Sequence, residues 1–255
     1  MTRRSKRIAV EANAMSQEPR DAIRSACEAG FGGVSFDAVT ASLDLCALSG
    51  TGRREFRHLL RRSELALVAV RADAQPGDIQ DADRLLSRAA VCTQAARDLG
   101  AGLLRIDVGR VTDATDAVML ELCAIADRMG VRLGISAALS GFESIDRVLR
   151  PASGAHVGVD LDTLVMLTDA WPVEQIISRL GSRVVHVRAR DAVAGERGSS
   201  KPAVIGKGDL RWPEVLGMLD AAAYRGWLTV DPLDLPDRAR AALDGLGVLE
   251  SLIHS

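Results

Sequence analysis

Eight short apolar runs, each followed by a stretch with helical periodicity, restrict the fold of this sequence more than any other feature. The runs are rich in β-branched residues and lie at 7–12, 32–38, 65–70, 102–108, 131–136, 156–162, 183–189 and 226–231. Several of the stretches between them repeat apolar residues at helical spacing and end at a glycine, as at Gly30, Gly100 and Gly130. Eight strand–helix units in 255 residues predict an α/β protein, a closed (β/α)8 TIM barrel in one domain covering 1–255.

A doubly wound open sheet is the alternative architecture for a chain that alternates strands and helices. That fold usually has fewer units and a glycine-rich turn after its first strand. No Gly-x-Gly-x-x-Gly pattern follows the first run. The closed barrel is therefore the preferred prediction.

The composition of the chain argues against nucleic acid and a membrane as partners. Lys and Arg number 32 against 34 Asp and Glu, for a net charge of −2, so no excess of positive charge predicts nucleic-acid binding. No stretch approaches the roughly 18 consecutive apolar residues of a membrane span. The four cysteines are far apart with no Cys-x-x-Cys spacing, and we expect buried, reduced thiols of a cytoplasmic protein.

Polar and charged side chains close almost every predicted strand. In a TIM barrel these C-terminal strand ends form the site. Asp160 and Asp162, like Arg188 and Arg190, are two residues apart and therefore face the same side of a strand, where burial is costly without partners. We therefore predict an ionic barrel mouth, drawn from Glu11, Asn13, Asp37, Arg71, Asp73, Arg105, Asp107, Ser136, Asp160, Asp162, Arg188, Arg190, Asp191 and Asp231.

Segments along nearly the whole chain resemble one family of TIM barrels. They are GFGGVSFDA, LGAGLLRIDVG, GVRLGIS, VGVDLDT, VVHVRARDA and IGKGDLRWPEVLGMLDAAAYRGWLTVDP. The last is the most specific, because a Gly-x-Gly-Asp-Leu-x-Trp lead-in is common there. The sequence thus resembles the xylose-isomerase-like sugar phosphate isomerase/epimerase family. The resemblance implies isomerase or epimerase chemistry on a small polar metabolite such as a sugar or sugar phosphate, and it leaves a homo-oligomer open.

The resemblance also implies a divalent metal such as Mn²⁺, Mg²⁺ or Zn²⁺ at the mouth. The family holds it with Glu, Asp, His and Glu after strands five to eight, and the matching positions here are Ser136, Asp162, Arg188 and Asp231. A guanidinium has only donors, and a serine hydroxyl is a poor substitute for a carboxylate ligand. We therefore expect a divergent member with a degraded metal site and no cofactor.

Two interpretations of this substitution remain open. In the first, Arg188 takes the place of the metal and pairs with Asp162 and Asp231, since the site then keeps the net charge of −1 that a metal and three carboxylates give. In the second, Asp160, Asp162 and His186 rebuild a metal site. His186 is also compatible with a satisfied interior histidine.

The first interpretation predicts an enzyme-like site. Arg188 would stabilise an oxyanion while Asp162, Asp231 or Glu11 acts as base. The predicted substrate-binding residues are Ser136, His186, Arg190, Asp107 and Arg71. The alternative is a catalytically inactive pseudoenzyme that binds a metabolite or a protein. An endonuclease role is disfavoured, because the extra His and Glu ligands of related barrels are missing.

Three local features complete the predictions. Ser16 and Thr51 are expected to cap the helices that follow them. The stretch SGTGRR (49–54) could hold an anion at a helix start, with capping and a solvated basic face as the alternative. The polar segment AGERGSSKP (194–202) follows strand seven, either as a lid with Arg197 and Lys201 over the mouth or as a disordered loop.

Overall fold

Eight parallel strands close into a barrel in the computed structural model, which describes residues 5–72, 82–108, 111, 115–136, 141–149, 156–168, 171–195 and 199–254. The strands in chain order are β1 (Ser5–Glu11), β2 (Phe31–Asp37), β3 (Ala66–Arg71), β4 (Leu103–Asp107), β5 (Arg132–Ser136), β6 (Val157–Asp162), β7 (Val184–Ala189), β8 (Asp191–Ala194), β9 (Ser200–Ala203) and β10 (Leu228–Val230). The barrel runs β1-β10-β7-β6-β5-β4-β3-β2. The predicted TIM barrel is confirmed, and every predicted barrel strand matches within two residues at each end.

Helices cover the outside of the barrel. They are α1 (Ala12–Met15), α2 (Pro19–Ala29), α3 (Gly50–Arg62), α4 (Ala82–Leu99), α5 (Thr115–Met129), α6 (Phe142–Leu149), α7 (Val165–Thr168), α8 (Val173–Gln175), α9 (Trp212–Ala221) and α10 (Arg238–Ile253). Their apolar faces pack inward, and Ile23, Leu85 and Leu122 are fully buried. The predicted glycine ends of α2, α4 and α5 are present, with positive φ at Gly30, Gly100 and Gly130. None of the described helices has the length and apolar character that a membrane span requires.

Both predicted helix caps are displaced. The Ser16 hydroxyl accepts a hydrogen bond from the Glu18 amide just before α2, so it closes a turn ahead of the helix. In α3 the cap is Ser49, whose hydroxyl accepts from the Gly52 amide at 3.1 Å. For α3 the prediction was wrong because Ser49 and Thr51 both stand within one turn of the helix start, and only backbone geometry selects between them. For α2 the helix begins at Pro19, two residues too late for Ser16 to be its cap.

A small hairpin interrupts the segment after β7. Strands β8 and β9 pair antiparallel, with Ala194 opposite Ser200, and the Gly195 amide donates to the Ser199 carbonyl at 2.8 Å. The ends of the predicted loop 194–202 are therefore ordered strand, which corrects the disordered alternative there. Lys201 lies on β9, whereas Arg197 lies outside the described residues.

The barrel interior changes from apolar to ionic along its axis. Ala9, Val68, Ala69 and Leu103 form a separate small cluster with Trp227 packed against it. Ala9 and Leu103 precede Glu11 and Arg105 by two residues, so each pair shares a face of its strand, with the charged member nearer the C-terminal end. The fold thus places its buried charges at the mouth, on the C-terminal side of this apolar cluster.

Candidate functional site

Arg105 crosses the barrel interior. Its Nε donates to Asp160 Oδ2 at 2.9 Å on β6, and its Nη1 donates to Glu11 Oε1 on β1. All three side chains are almost completely buried. Burial alone would lower the pKa of Arg105, but Asp160 and Glu11 raise it above its usual value. Arg105 therefore stays charged and ties three strands together.

Asp160 also holds His186. The Nδ1 atom of His186 lies 2.7 Å from Asp160 Oδ1, and its Nε2 lies 2.7 Å from the hydroxyl of Thr229. The pKa of His186 is lowered, chiefly because burial disfavours the charged imidazolium, while Asp160 acts in the opposite direction. The neutral ring then donates from Nδ1 to Asp160 and accepts from Thr229 at Nε2. With both nitrogens bound to protein groups, His186 positions Asp160 from within the barrel, and its predicted contact with substrate stays a prediction.

Arg188 lies among three carboxylates. Its Nη2 is 3.1 Å from Asp162 Oδ2, its Nε is 3.4 Å from Asp160 Oδ2, and its Nη1 is 3.8 Å from Asp231 Oδ2. The side chain is 8% exposed. The sequence predicted pairs with Asp162 and Asp231; the structure gives a closer pair with Asp162, a longer one with Asp231, and Asp160 as an additional partner. The pKa of Asp160, which burial would raise, is held well below its usual range by Arg105, His186 and Arg188.

Arg190 binds two carboxylates at the rim of the same cluster. Its Nη1 donates to Asp162 Oδ2 at 2.9 Å, and its Nη2 pairs with Asp234. The Asp162 Oδ1 atom accepts from the Leu164 amide at 3.0 Å, so this carboxylate is fully engaged. Thr163 accepts from the Arg190 amide at 2.9 Å, which fixes the end of β7 against β6.

Among the described residues, Asp231 is held by weaker contacts than Asp160 and Asp162. Its Oδ1 accepts one hydrogen bond, from the Leu233 amide at 3.3 Å, and Arg188 stands beyond hydrogen-bond distance. Asp231 lines a cleft of about 320 Å³, open mouth included, together with Arg190, Pro232, Asp234 and residues of β9.

The remaining predicted residues that the structure describes lie on elements other than β7, the strand of Arg188, and Asp73 lies outside the described residues. Arg71 donates to Asp37 Oδ1 at 2.5 Å, and Asn13 donates to the other oxygen of Asp37, on the β2–β3 side of the rim. Asp107 and Ser136 are register partners at the ends of β4 and β5. Ser136 is buried and lines a second cavity of about 250 Å³ with Asp160, Asp162 and Trp171.

Asp191, which the sequence placed at the mouth, has a structural role. Its carboxylate accepts from the amides of Gly206, Gly208, Leu210 and Ala192 and from the indole N–H of Trp212. A Cβ on Gly208 would lie 2.2 Å from Asp191 Oδ1, so only glycine fits there. The Gly-x-Gly-Asp-Leu-x-Trp segment is therefore a loop wrapped around one buried carboxylate.

The residues at the metal positions do not fit the metal that the family implies. Arg188 places a guanidinium where a cation would bind, and Ser136 offers a hydroxyl in place of a carboxylate. Within the described part of the chain, no three His, Cys, Asp or Glu side chains are grouped to hold a metal ion. The three ligands of the alternative metal site are Asp160, Asp162 and His186. Asp160 and Asp162 are bound instead to arginines, and His186 is bound to Asp160 and Thr229.

The sequence missed Arg105 and Asp160 as the centre of the cluster, although both stood among the predicted strand ends. Their spacing from Glu11 and His186 could not reveal a contact between β1, β4 and β6, because those strands are not neighbours. The available signal was an arginine inside an apolar run, Leu103 to Ile106, where an unpaired charge is very costly.

The fold and the position of the ionic cluster define a (β/α)8-barrel protein with a buried ionic cluster at the C-terminal mouth. The chain belongs to the xylose isomerase-like TIM barrel family, whose model matches residues 23–252. The resemblance seen in the sequence is thereby confirmed.

Solved structures with the same fold share little sequence with this chain. The 3-keto-D-glucoside 4-epimerase of E. coli is 16% identical, with a TM-score of 0.75, over 97% of this chain and 100% of that one. A xylose isomerase-like TIM barrel protein from Mycobacterium smegmatis, solved in complex with magnesium, is 15% identical, with a TM-score of 0.77, over 98% and 97%. A xylose isomerase domain protein from Planctomyces limnophilus is 15% identical, with a TM-score of 0.78, over 90% and 91%. No curated protein matches the chain significantly.

Proposed function

We propose that this protein binds a sugar-like polar metabolite at the C-terminal mouth of its barrel, without the family's divalent metal and with Arg188 supplying the positive charge. The observation that carries the proposal is the placement of the Arg188 guanidinium, within 4 Å of Asp160, Asp162 and Asp231. A cation fixed among carboxylates at this point can polarise a ligand oxygen, as a metal would.

Two buried N–H groups support a ligand rich in oxygen. Among the residues that the structure describes, Arg188 Nε and Arg105 Nη2 have no hydrogen-bond acceptor, and Arg188 Nε makes only the ion-pair contact with Asp160 at 3.4 Å. An unpaired buried donor costs about 1–3 kcal/mol, and a hydroxyl or carbonyl oxygen of a ligand would remove that cost. An apolar ligand would leave both donors unpaired.

Asp231 is the best candidate for proton transfer. Asp162 accepts hydrogen bonds from Arg190 and the Leu164 amide and is in ion-pair contact with Arg188, and Glu11 is tied to Arg105. Asp231 has one amide donor and faces the open cleft. If the protein is an enzyme of the isomerase or epimerase type, Asp231 removes the proton next to the substrate carbonyl, and Arg188 stabilises the oxyanion that forms.

A catalytically inactive barrel that binds a metabolite or a protein is the second candidate. The observation that favours it is the engagement of Asp160, Asp162 and Glu11 by arginines, because such a network also stabilises the fold with no ligand present. An inactive barrel that binds a metabolite shares the binding step with the enzyme and differs from it only in turnover.

Binding is tested first, with free ketoses, aldoses and their phosphate esters as probes in thermal-shift and calorimetric titrations. Arg188→Ala should weaken binding by about 10- to 100-fold, the loss expected for charged hydrogen bonds. Arg188→Lys keeps the positive charge and tests whether binding needs the forked guanidinium group. Arg240→Ala, which alters an exposed pair on α10, is the control and should bind normally. Equal binding by Arg188→Ala and wild type would refute the role of Arg188.

Turnover is tested on any sugar that binds, by following exchange of its carbon-bound hydrogens with D₂O by NMR. Exchange that Asp231→Asn abolishes while binding persists would support the enzyme. Binding without exchange in the wild type would support the inactive barrel.

A further inference from the structure

Two cysteines far apart in sequence are in contact outside the barrel. Cys46 lies in the loop between β2 and α3, and Cys92 lies in the middle of α4. Their sulfur atoms are 3.5 Å apart. Neither the fold nor the proposed binding of a metabolite requires this contact.

The loop holds Cys46 in place from both sides. Its amide donates to Asp44 Oδ1 at 2.9 Å, and its carbonyl accepts from Arg53 Nη2 at 3.1 Å. Arg53 also pairs with Asp98 near the end of α4. These hydrogen bonds hold the two sulfurs in contact. Shortening the distance between them to the roughly 2.05 Å of a disulfide needs only a small local shift.

The chemistry of the two thiols differs. The pKa of Cys46 is lowered, first by its hydrogen bond with Cys92 and then by Arg88 and Arg53, although burial and Asp44 oppose this. Cys46 is also partly exposed, whereas Cys92 is completely buried. By contrast, burial raises the pKa of Cys123. Cys46 is therefore suited to meet an oxidant, and Cys92 to resolve the product.

We propose that Cys46 and Cys92 form a reversible disulfide when the protein meets a peroxide, and that this bond clips the β2–α3 loop to α4. The Cys46 thiolate attacks one peroxide oxygen and becomes a sulfenic acid, and the other oxygen leaves as water after taking up a proton. The sulfur of Cys92 then attacks Cys46, forming the S–S bond and releasing a second water. The thiols lose two electrons and two protons in total, and the peroxide accepts both.

The disulfide between Cys46 and Cys92 would act beside the candidate site. The β2–α3 loop leaves the barrel mouth directly after Asp37, whose carboxylate is held by Arg71 and Asn13. Oxidation would restrain this loop in its present position, because the sulfurs are already in contact. The expected result is a stiffer and more stable protein with its barrel unchanged.

The test uses the full-length purified chain, reduced and then treated with hydrogen peroxide. Thiol titration in denaturant should fall from four to two, and dithiothreitol should restore all four. Trypsin should then yield two peptides joined by a disulfide, residues 25–53 and residues 89–97. Further cleavage after Glu28 separates Cys27 from Cys46. Four remaining thiols, a bond to Cys27 or Cys123, or a bond between two chains would overturn the proposal.

Thermal unfolding supplies a second readout. On oxidation, wild type and the matched control Cys123→Ser should gain roughly 5 °C or more in Tm, since the new bond closes a long loop. Cys46→Ser and Cys92→Ser should gain nothing. A disulfide that forms without raising the Tm would contradict the proposal that it restrains the β2–α3 loop against α4.

Discussion

The guanidinium of Arg105 on β4 reaches across the barrel to the carboxylate of Glu11 on β1, and both side chains are almost completely buried. The same arginine donates to Asp160 on β6 at 2.9 Å. These strands are not neighbours in the sheet, so the contact depends on closure of the barrel. Arg105 thus links the stability of the fold to the geometry of the mouth.

Replacing Arg105 by methionine should destabilise the protein strongly. The change keeps an apolar stem of similar length but leaves Glu11 and Asp160 buried without this cation. Breaking a buried ion pair in this way costs about 3–5 kcal/mol. The free energy of unfolding in urea measures the loss.

The exposed pair of Arg240 and Asp244 on α10 provides the matched control. Arg240→Met should change the free energy of unfolding by no more than about 0.5 kcal/mol. If Arg105→Met cost as little as Arg240→Met, the cross-barrel ion pair would not stabilise the fold.

His186 should make the stability depend on pH just below neutrality. Its folded pKa lies below the unfolded value of about 6.5, so the unfolded chain binds more protons as the pH falls through that value. The free energy of unfolding should therefore decrease from about pH 7 towards pH 5, by at most 1.4 kcal/mol per pH unit for this one group. Asp160 contributes little in this window, because its pKa is held far below it.

His186→Gln separates this effect from a general loss of stability. The variant is expected to be less stable at every pH, since it disturbs the hydrogen bonds to Asp160 and Thr229. Its slope between pH 7 and pH 5 should nevertheless be smaller than that of the wild type. Identical slopes in urea titrations would show that His186 does not titrate there.

Asp191 should prove structural. Asp191→Asn leaves one oxygen and an NH₂ group facing five N–H donors, so several of them lose their acceptor. We expect a loss of about 2–4 kcal/mol in the free energy of unfolding. Asp220→Asn, in an exposed pair with Arg225, should change it by less than about 0.5 kcal/mol. A small effect of Asp191→Asn would mean that the loop has another anchor.

The sequence predicted the barrel well because each strand is a short apolar run with a helical pattern after it. Period-two spacing also put Asp160 with Asp162, and Arg188 with Arg190, on one side of their strands, and the family resemblance brought Arg188 together with Asp162. The sequence could not show that Arg105 reaches β1 and β6, because the distance across a closed barrel leaves no trace in local spacing. Asp191 looked like a mouth residue, whereas four of its five donors lie 15 to 21 positions further along the chain, beyond the reach of local spacing.

Metal content of the purified protein tests the central claim most directly. Elemental mass spectrometry before and after soaking with Mn²⁺, Mg²⁺ or Zn²⁺ should find far less than one ion per chain. The variant combining Ser136→Glu, Arg188→His and Asp231→Glu restores the family ligand types beside Asp162, and it serves as the positive control. Near-stoichiometric metal in the wild type would contradict the replacement of the metal by Arg188.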